Sequence, residues 1–152
     1  MAQQGFRVVA VEKSPKKVER IKQTPDFNEL SIELYCLSAE DFDIEPDKYL
    51  VINANNVLQF IEKGKAIELI ERMKDNLITG GYILISCFTI HDPLYEKFKE
   101  RCYFKDGELR TYFTNWDIIH YEEGMVEDRG HPGKEQPHQH GLVKLIAKKL
   151  TA

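Results

Sequence analysis

Three groups of residues have side chains and spacings suited to chemistry. The first is Glu12, which ends the apolar run Phe6 to Val11, with Lys13 beside it. In an α/β sheet that binds a nucleotide, an acid at the carboxyl end of a strand accepts hydrogen bonds from the ribose hydroxyls. An acid there is also, quite commonly, a solvated strand end. The second group is Asn53-Ala54-Asn55-Asn56, a polar cluster at the end of an apolar strand. Where the strand order of an open sheet reverses, such residues line a ligand crevice; the alternative is that Asn55 or Asn56 caps the turn that follows.

The third group is "GHPGKEQPHQHG", Gly130 to Gly141, which holds three of the five histidines. His138 and His140, one residue apart, face the same side of an extended strand and can share a metal. His131, across a Pro-Gly turn, would complete a three-nitrogen set. The spacing matches no strong zinc signature, and neither Cys nor a firmly positioned acid completes the cluster, so no metal is assigned. The competing readings are a lid whose histidines position an anionic or soft substrate, and a plain surface loop. His91 and Arg110, at the ends of neighbouring elements, join the same mouth or remain surface residues. If a base is required, His138 or His140 is the candidate to test first; no other catalytic residue is assigned.

Apolar runs alternating with helical stripes must position these groups, and that order argues for an α/β fold with a mostly parallel sheet. Phe6 to Val11 is a strand. Ser14-Pro15 supplies an N-cap and a first-turn proline for a helix ending near Gln23. Ser31 to Leu37 alternates as a second strand, with Ser38 to Phe42 as the loop at its carboxyl end. Tyr49 to Ala54 is a continuous apolar run typical of a central strand covered on both faces. Ala66, Ile67, Leu69, Ile70, Met73 and Leu77 recur at helical spacing, and Thr79-Gly80-Gly81 stops that helix before the strand Tyr82 to Phe88. Asp92-Pro93 starts another helix carrying Leu94, Tyr95 and Phe98 and ending near Arg101. A short helix over Glu108 to Phe113, a strand Trp116 to Glu122, a long polar loop Glu123 to Gly141 and a strand Leu142 to Ala147 follow. The two late strands, with no helix between them, pair as an antiparallel hairpin at the sheet edge.

The chain has 152 residues, 42% hydrophobic and 30% charged, which is the composition of a globular protein with a single core. A net charge of −4 gives no basic face for nucleic acid, so none is expected as a partner. No apolar run approaches the roughly 20 residues that span a bilayer, and no secretion signal opens the chain; a cytoplasmic protein without membrane contact is expected. Cys36, Cys87 and Cys102 have no CxxC spacing and are read as buried or incidental thiols.

Several local patterns agree on one family. The order strand-acid (Val8-Val9-Ala10-Val11-Glu12), strand-"LSAEDF", strand-"YLVINANNVLQF", helix, "LITGGYILIS" and late hairpin resembles the class I S-adenosylmethionine-dependent methyltransferases. "YFKDGELRTYFTNWDIIHYEE", Tyr103 to Glu123, is similar to the tellurite-resistance branch of that family. The resemblance covers nearly the whole chain, with "ITGGYILIS" and "GELRTYFTNW" as its specific stretches. It implies a Rossmann-like sheet, S-adenosylmethionine as cofactor, and a small-molecule methyl acceptor entering on the side of His91, Arg110, His131, His138 and His140. It also implies cofactor contacts at Glu12 and Lys13 (ribose), Ala39 and Glu40 (adenine), and Asn53 and Asn55. Ser38 stands where many members have Asp.

A complete member carries a strand and glycine-rich turn before the element with which this chain opens. The expectation is therefore a single partial domain, residues 1–152, truncated at its N-terminus. Three explanations compete: a fragment of a working enzyme, a paralogue that exchanges elements with a second copy and forms a homodimer covering the exposed sheet, or a chain that has lost the cofactor. Two functions follow from different classes. One is methyl transfer from S-adenosylmethionine to a small acceptor; the other is a non-catalytic oligomerising or metal-binding module that keeps the sheet.

Overall fold

β-Branched runs take the extended backbone, and capped stripes take the helix. The computed structural model describes residues 1–130 and 134–151. Val8–Val11 (β1) pairs in parallel with Ile32–Tyr35 (β2), in the register Val8 with Ile32 through Val11 with Tyr35. Between them runs Pro15–Lys22 (α1), whose first turn is capped by Ser14 accepting from the Lys17 N–H at 3.4 Å, with Val18 as its buried residue. These elements belong to one compact unit, Met1–Asp43.

The second unit, Ile44–Ala152, holds four strands in the order β3-β4-β6-β5. Tyr49–Asn55 (β3) and Leu77–Phe88 (β4) are parallel, and Lys63–Asn76 (α2) joins them. Asp117–Asp128 (β5) and His138–Lys148 (β6) form the antiparallel hairpin, with β6 laid against β4. The helix buries Ala66, Leu69, Ile70 and Met73 on one face. Strand alternation supplies the rest of the core: Ile83, Ile85 and Cys87 from β4, and Val143, Leu145 and Ala147 from β6. Phe104, Leu109 and Phe113 complete it; Leu109 sits on the short helix Glu108–Thr111 (α3). The expected α/β architecture, parallel pairs followed by a C-terminal antiparallel hairpin, is present.

Four local expectations are corrected. Residues Asp92 to Arg101 do not form a helix: only Tyr95–Lys97 makes a 3-10 turn. The stripe there is too short to offset helix nucleation, and its aromatic residues are engaged elsewhere, Tyr95 edge-on to Tyr103 at 5.3 Å and Phe98 under the Arg101 guanidinium at 4.0 Å. Thr79-Gly80-Gly81 does not stop a helix, because the helix has already ended and these residues lie inside β4. They form an irregularity between the Tyr49–Leu77 and Val51–Tyr82 pairs. A Cβ on Gly81 would meet the Leu50 carbonyl at 2.9 Å, so the bulge requires glycine.

The long polar loop is also shorter than expected, since β5 continues to Asp128 and β6 begins at His138, with Asp128 paired to His138. Finally, β3 lies at the edge of the four-stranded sheet and not at its centre, with Leu50, Asn53 and Asn55 exposed. Among the described residues its outer edge pairs with no strand. Cys87 and Cys102 are buried as expected, whereas Cys36 is exposed; burial pushes the Cys87 thiol well above its ordinary pKa.

The start of β6 is bonded to the segment after β4 by the Thr89 N–H, which donates to the Gly141 carbonyl at 2.8 Å. A Cβ on Gly141 would lie 2.7 Å from the Asp92 backbone nitrogen and 2.6 Å from the Thr89 hydroxyl. Gly141→Ala is therefore expected to lower the unfolding free energy by about 1–3 kcal/mol in urea titration, through overpacking against backbone. Gly124→Ala, where a Cβ meets open space, is the comparison and should be neutral or slightly stabilising.

Candidate functional site

In the first unit, Glu12 closes β1 and its N–H donates to the Tyr35 carbonyl at 3.0 Å. One carboxylate oxygen accepts from the Ser14 N–H at 2.8 Å; the other lies 3.8 Å from the Lys17 ammonium. The turn into α1 thus sets the orientation of a side chain that is 25% exposed. Lys13 beside it is exposed. Ala39 and Glu40, both half-buried, form the 3-10 turn Ala39–Asp41 after β2. Because β1 and β2 are parallel, Glu12 and this turn share the carboxyl edge of their sheet, the edge that open α/β sheets use for ligands.

In the second unit, neither Asn55 nor Asn56 caps the following turn, Leu58–Phe60, which has no side-chain cap. Both are held by Ser86 on β4. The Ser86 hydroxyl is in hydrogen-bond contact with the Asn55 side-chain oxygen and lies 3.0 Å from that of Asn56, whose backbone N–H bonds the Ser86 carbonyl at 3.0 Å. Asn56 takes a left-handed backbone, φ 54°, which asparagine tolerates better than most residues. Asn53 and Asn55 remain exposed on the edge strand.

On the hairpin side, an open recess of about 370 Å³ is lined by Thr89, His91, Asp106, Glu123, Gly124 and Met125. His91 Nε2 lies 2.8 Å from the Asp106 carboxylate, with both side chains largely exposed. The Glu123 carboxylate accepts the Gly107 N–H through both oxygens, at 3.0 and 3.1 Å, and also the Tyr121 hydroxyl. The Arg110 guanidinium lies 5.5 Å from the Tyr121 ring centroid. Burial, and then the bond to Glu123, pushes the Tyr121 phenol far above its ordinary pKa.

The histidine pair forms a second cluster. His140 Nδ1 is 2.7 Å from a carboxylate oxygen of Asp92, whose side chain is completely buried. The same ring stacks on Phe88, centroids 4.7 Å apart at 12°. His138 meets His140 edge-on at 4.7 Å, and its Nδ1 is 2.9 Å from the Gln136 carbonyl. Donor atoms of Asp128, His138 and His140 lie within 4.8 Å of one another. His131 lies outside the described residues. The structure therefore brings His138 and His140 together on β6 and gives His91 to the recess, while Arg110 stacks at Tyr121.

Sequence reasoning did not find Asp92, Phe88, Ser86, Glu123 or Asp128. Asp92 read as a helix start, and its bond to a histidine 48 positions away leaves no local signal. Glu123 and Asp128 read as loop residues because their strand is polar on its exposed face.

The family model described as "Tellurite resistance protein TehB" matches residues 1–136. "Hemagglutinin 1" of Eikenella corrodens is 29% identical over 95% of the chain and 48% of its own length. A "Probable S-adenosyl-L-methionine-dependent methyltransferase TehB" of Haemophilus influenzae is 24% identical over 81% of the chain and 43% of its own length. The chain thus spans about half the length of these relatives. The crystal structure of TehB from Haemophilus influenzae superposes with a TM-score of 0.83 at 20% identity, covering 97% of this chain and 51% of that one. The NodS N-methyltransferase of Bradyrhizobium japonicum, in complex with S-adenosyl-L-homocysteine, superposes at 0.65 and 13% identity over 94% of this chain and 66% of that one. No helix among the described residues is long and apolar enough to cross a membrane.

Removing the buried Asp92 carboxylate leaves the Leu94 N–H, which it accepts at 2.8 Å, and the His140 ring without their acceptor. Asp92→Ala should cost about 1–3 kcal/mol of unfolding free energy and Asp92→Asn less, as read by urea denaturation. Tyr121 gives a pH dependence. Its raised pKa means that the folded chain keeps a proton which the unfolded chain releases above about pH 10, so the stabilisation is complete below that pH and is lost as pH rises toward the folded value. The urea midpoint of Tyr121→Phe should accordingly fall less steeply between about pH 9 and 11 than that of the unaltered chain.

Proposed function

Because the chain belongs to the TehB family, whose model matches most of its length, we propose that it serves methyl transfer from S-adenosylmethionine to a small-molecule acceptor. The observation that carries this is the placement of Glu12. A carboxylate oriented by the Ser14 N–H, at the carboxyl edge of parallel strands, is the acceptor that ribose hydroxyls require. Lys13 flanks the sugar, and the half-buried Ala39–Glu40 turn on the same edge offers a backbone amide and an acid to an adenine ring. Asn53 and Asn55, at the carboxyl end of β3, keep exposed amides where the resemblance implied cofactor contacts. The relatives named for S-adenosylmethionine chemistry, and the NodS complex with the product nucleoside, support this cofactor.

Methyl transfer asks little covalent work of a protein. It needs the acceptor lone pair in line with the sulfonium methyl, a pocket that excludes water, and a base where the acceptor must lose a proton. The recess at Thr89, His91, Asp106 and Glu123 is the candidate acceptor mouth, with Arg110 beside it at Tyr121. Its acidic and imidazole groups suit a polar acceptor able to donate hydrogen bonds. A tellurite-related oxyanion, the acceptor suggested by the family's description, would have to meet Arg110 or a protonated histidine there.

Calorimetry of S-adenosylmethionine against the chain tests the reading. Saturable binding is expected, weakened about 10- to 100-fold in Glu12→Ala and less in Glu12→Gln, as for loss of charge-assisted hydrogen bonds. Absence of binding, or an affinity indifferent to Glu12, would overturn it.

A further inference from the structure

We propose that Asp128, His138 and His140 form a binding site for a divalent transition-metal ion of the zinc class. All three residues belong to the hairpin of the second unit, so the site does not rest on the methyl-transfer reading. Asp128 and His138 are direct cross-strand partners, and His140, two residues further along β6, falls on the same side as His138. Strand pairing alone therefore gathers two imidazoles and a carboxylate, with one donor atom from each within 4.8 Å of the others. Bonds of about 2.0–2.2 Å to a tetrahedral zinc put donors roughly 3.4 Å apart. Binding therefore requires the three side chains to draw together from that spacing.

The surroundings are arranged as they are around metal-bound histidines, which as a rule give their other ring nitrogen to a carboxylate or a backbone carbonyl. Here His140 Nδ1 faces the buried Asp92 carboxylate at 2.7 Å, and His138 Nδ1 faces the Gln136 carbonyl at 2.9 Å. Both contacts favour the tautomer with its proton on Nδ1 and its lone pair on Nε2, the ligand atom. The Gly130 N–H holds one Asp128 oxygen at 2.7 Å and orients that carboxylate. Stacking on Phe88 fixes the His140 ring plane. Two carboxylates, Asp128 and Asp92, supply negative charge for a cation.

Two imidazoles and one carboxylate select a borderline ion such as zinc over calcium or magnesium, which prefer all-oxygen shells. Three protein ligands leave one coordination position for water or a ligand. An occupied site also uses the lone pairs that a general base would need, so His138 and His140 do not act as bases while the ion is bound.

The test is zinc(II) titration of the chain, first stripped with a chelator, in competition with a chromophoric chelator. One equivalent is expected to bind. His138→Ala and Asp128→Asn should weaken it at least about 10-fold, and Asp92→Asn, which alters the partner of His140 without removing a ligand atom, by about 10- to 100-fold. His120→Ala and Cys36→Ser, an exposed histidine and an exposed thiol, should leave it unchanged. Cobalt(II) added to the unaltered chain gives a readout that needs no variant: protein-dependent visible d–d bands without thiolate charge transfer. Affinity unchanged in a folded His138→Ala chain, a thiolate band with cobalt, or no protein-dependent spectrum would each overturn the site.

Discussion

A carboxylate removed from water must be paired, and in this protein Asp92 is paired with His140. The bond ties the segment leaving β4 to the first residues of β6, elements that the chain visits 48 positions apart. Around it the backbones approach so closely that only glycine fits at 141, and the Thr89 N–H closes on the Gly141 carbonyl. That junction adjoins the end of the pairing between β4 and β6, at Phe88 and Leu142. Thr89 both lines the neighbouring recess and touches the junction.

A consequence is that the histidines are built into a strand. A lid would present imidazoles on a segment free to rearrange, and the ordering of that segment would have to be offset by each ligand. On β6 the rings are held before any ligand arrives, one by a buried acid and an aromatic face, the other by a backbone carbonyl. Preorganisation of this kind suits a small, geometrically demanding ligand better than a broad substrate.

Much of the fold was legible because burial writes periodicity into sequence. Val8 to Val11, Ile32 to Tyr35 and the alternating residues from Leu142 onward announced strands, and Ser14-Pro15 announced a helix start. Glu12 was legible for the same reason, since an acid ending an apolar run is a local pattern. The extension of β5 to Asp128 and of β6 back to His138 was not, because those strands are polar where solvent meets them and their order comes from backbone pairing that any side chain allows. The stripe after Asp92-Pro93 misled in the opposite sense. Its apolar residues face neighbouring aromatics from a 3-10 turn, which a helical spacing of Leu94, Tyr95 and Phe98 resembles over so few residues.

The polar groups divide in the same way. Asn53, Asn55 and Asn56 stood out as an unusual cluster at a strand end, yet the residue that organises two of them is Ser86, an unremarked serine within an apolar run of β4. Parallel pairing sets Ser86 directly opposite Asn55, so one hydroxyl serves Asn55 and Asn56. Asn53 lies two residues earlier on the same strand, opposite Leu84. Of the three amides, Asn53 is therefore the one that the bonding at Ser86 does not draw into holding β3 against β4.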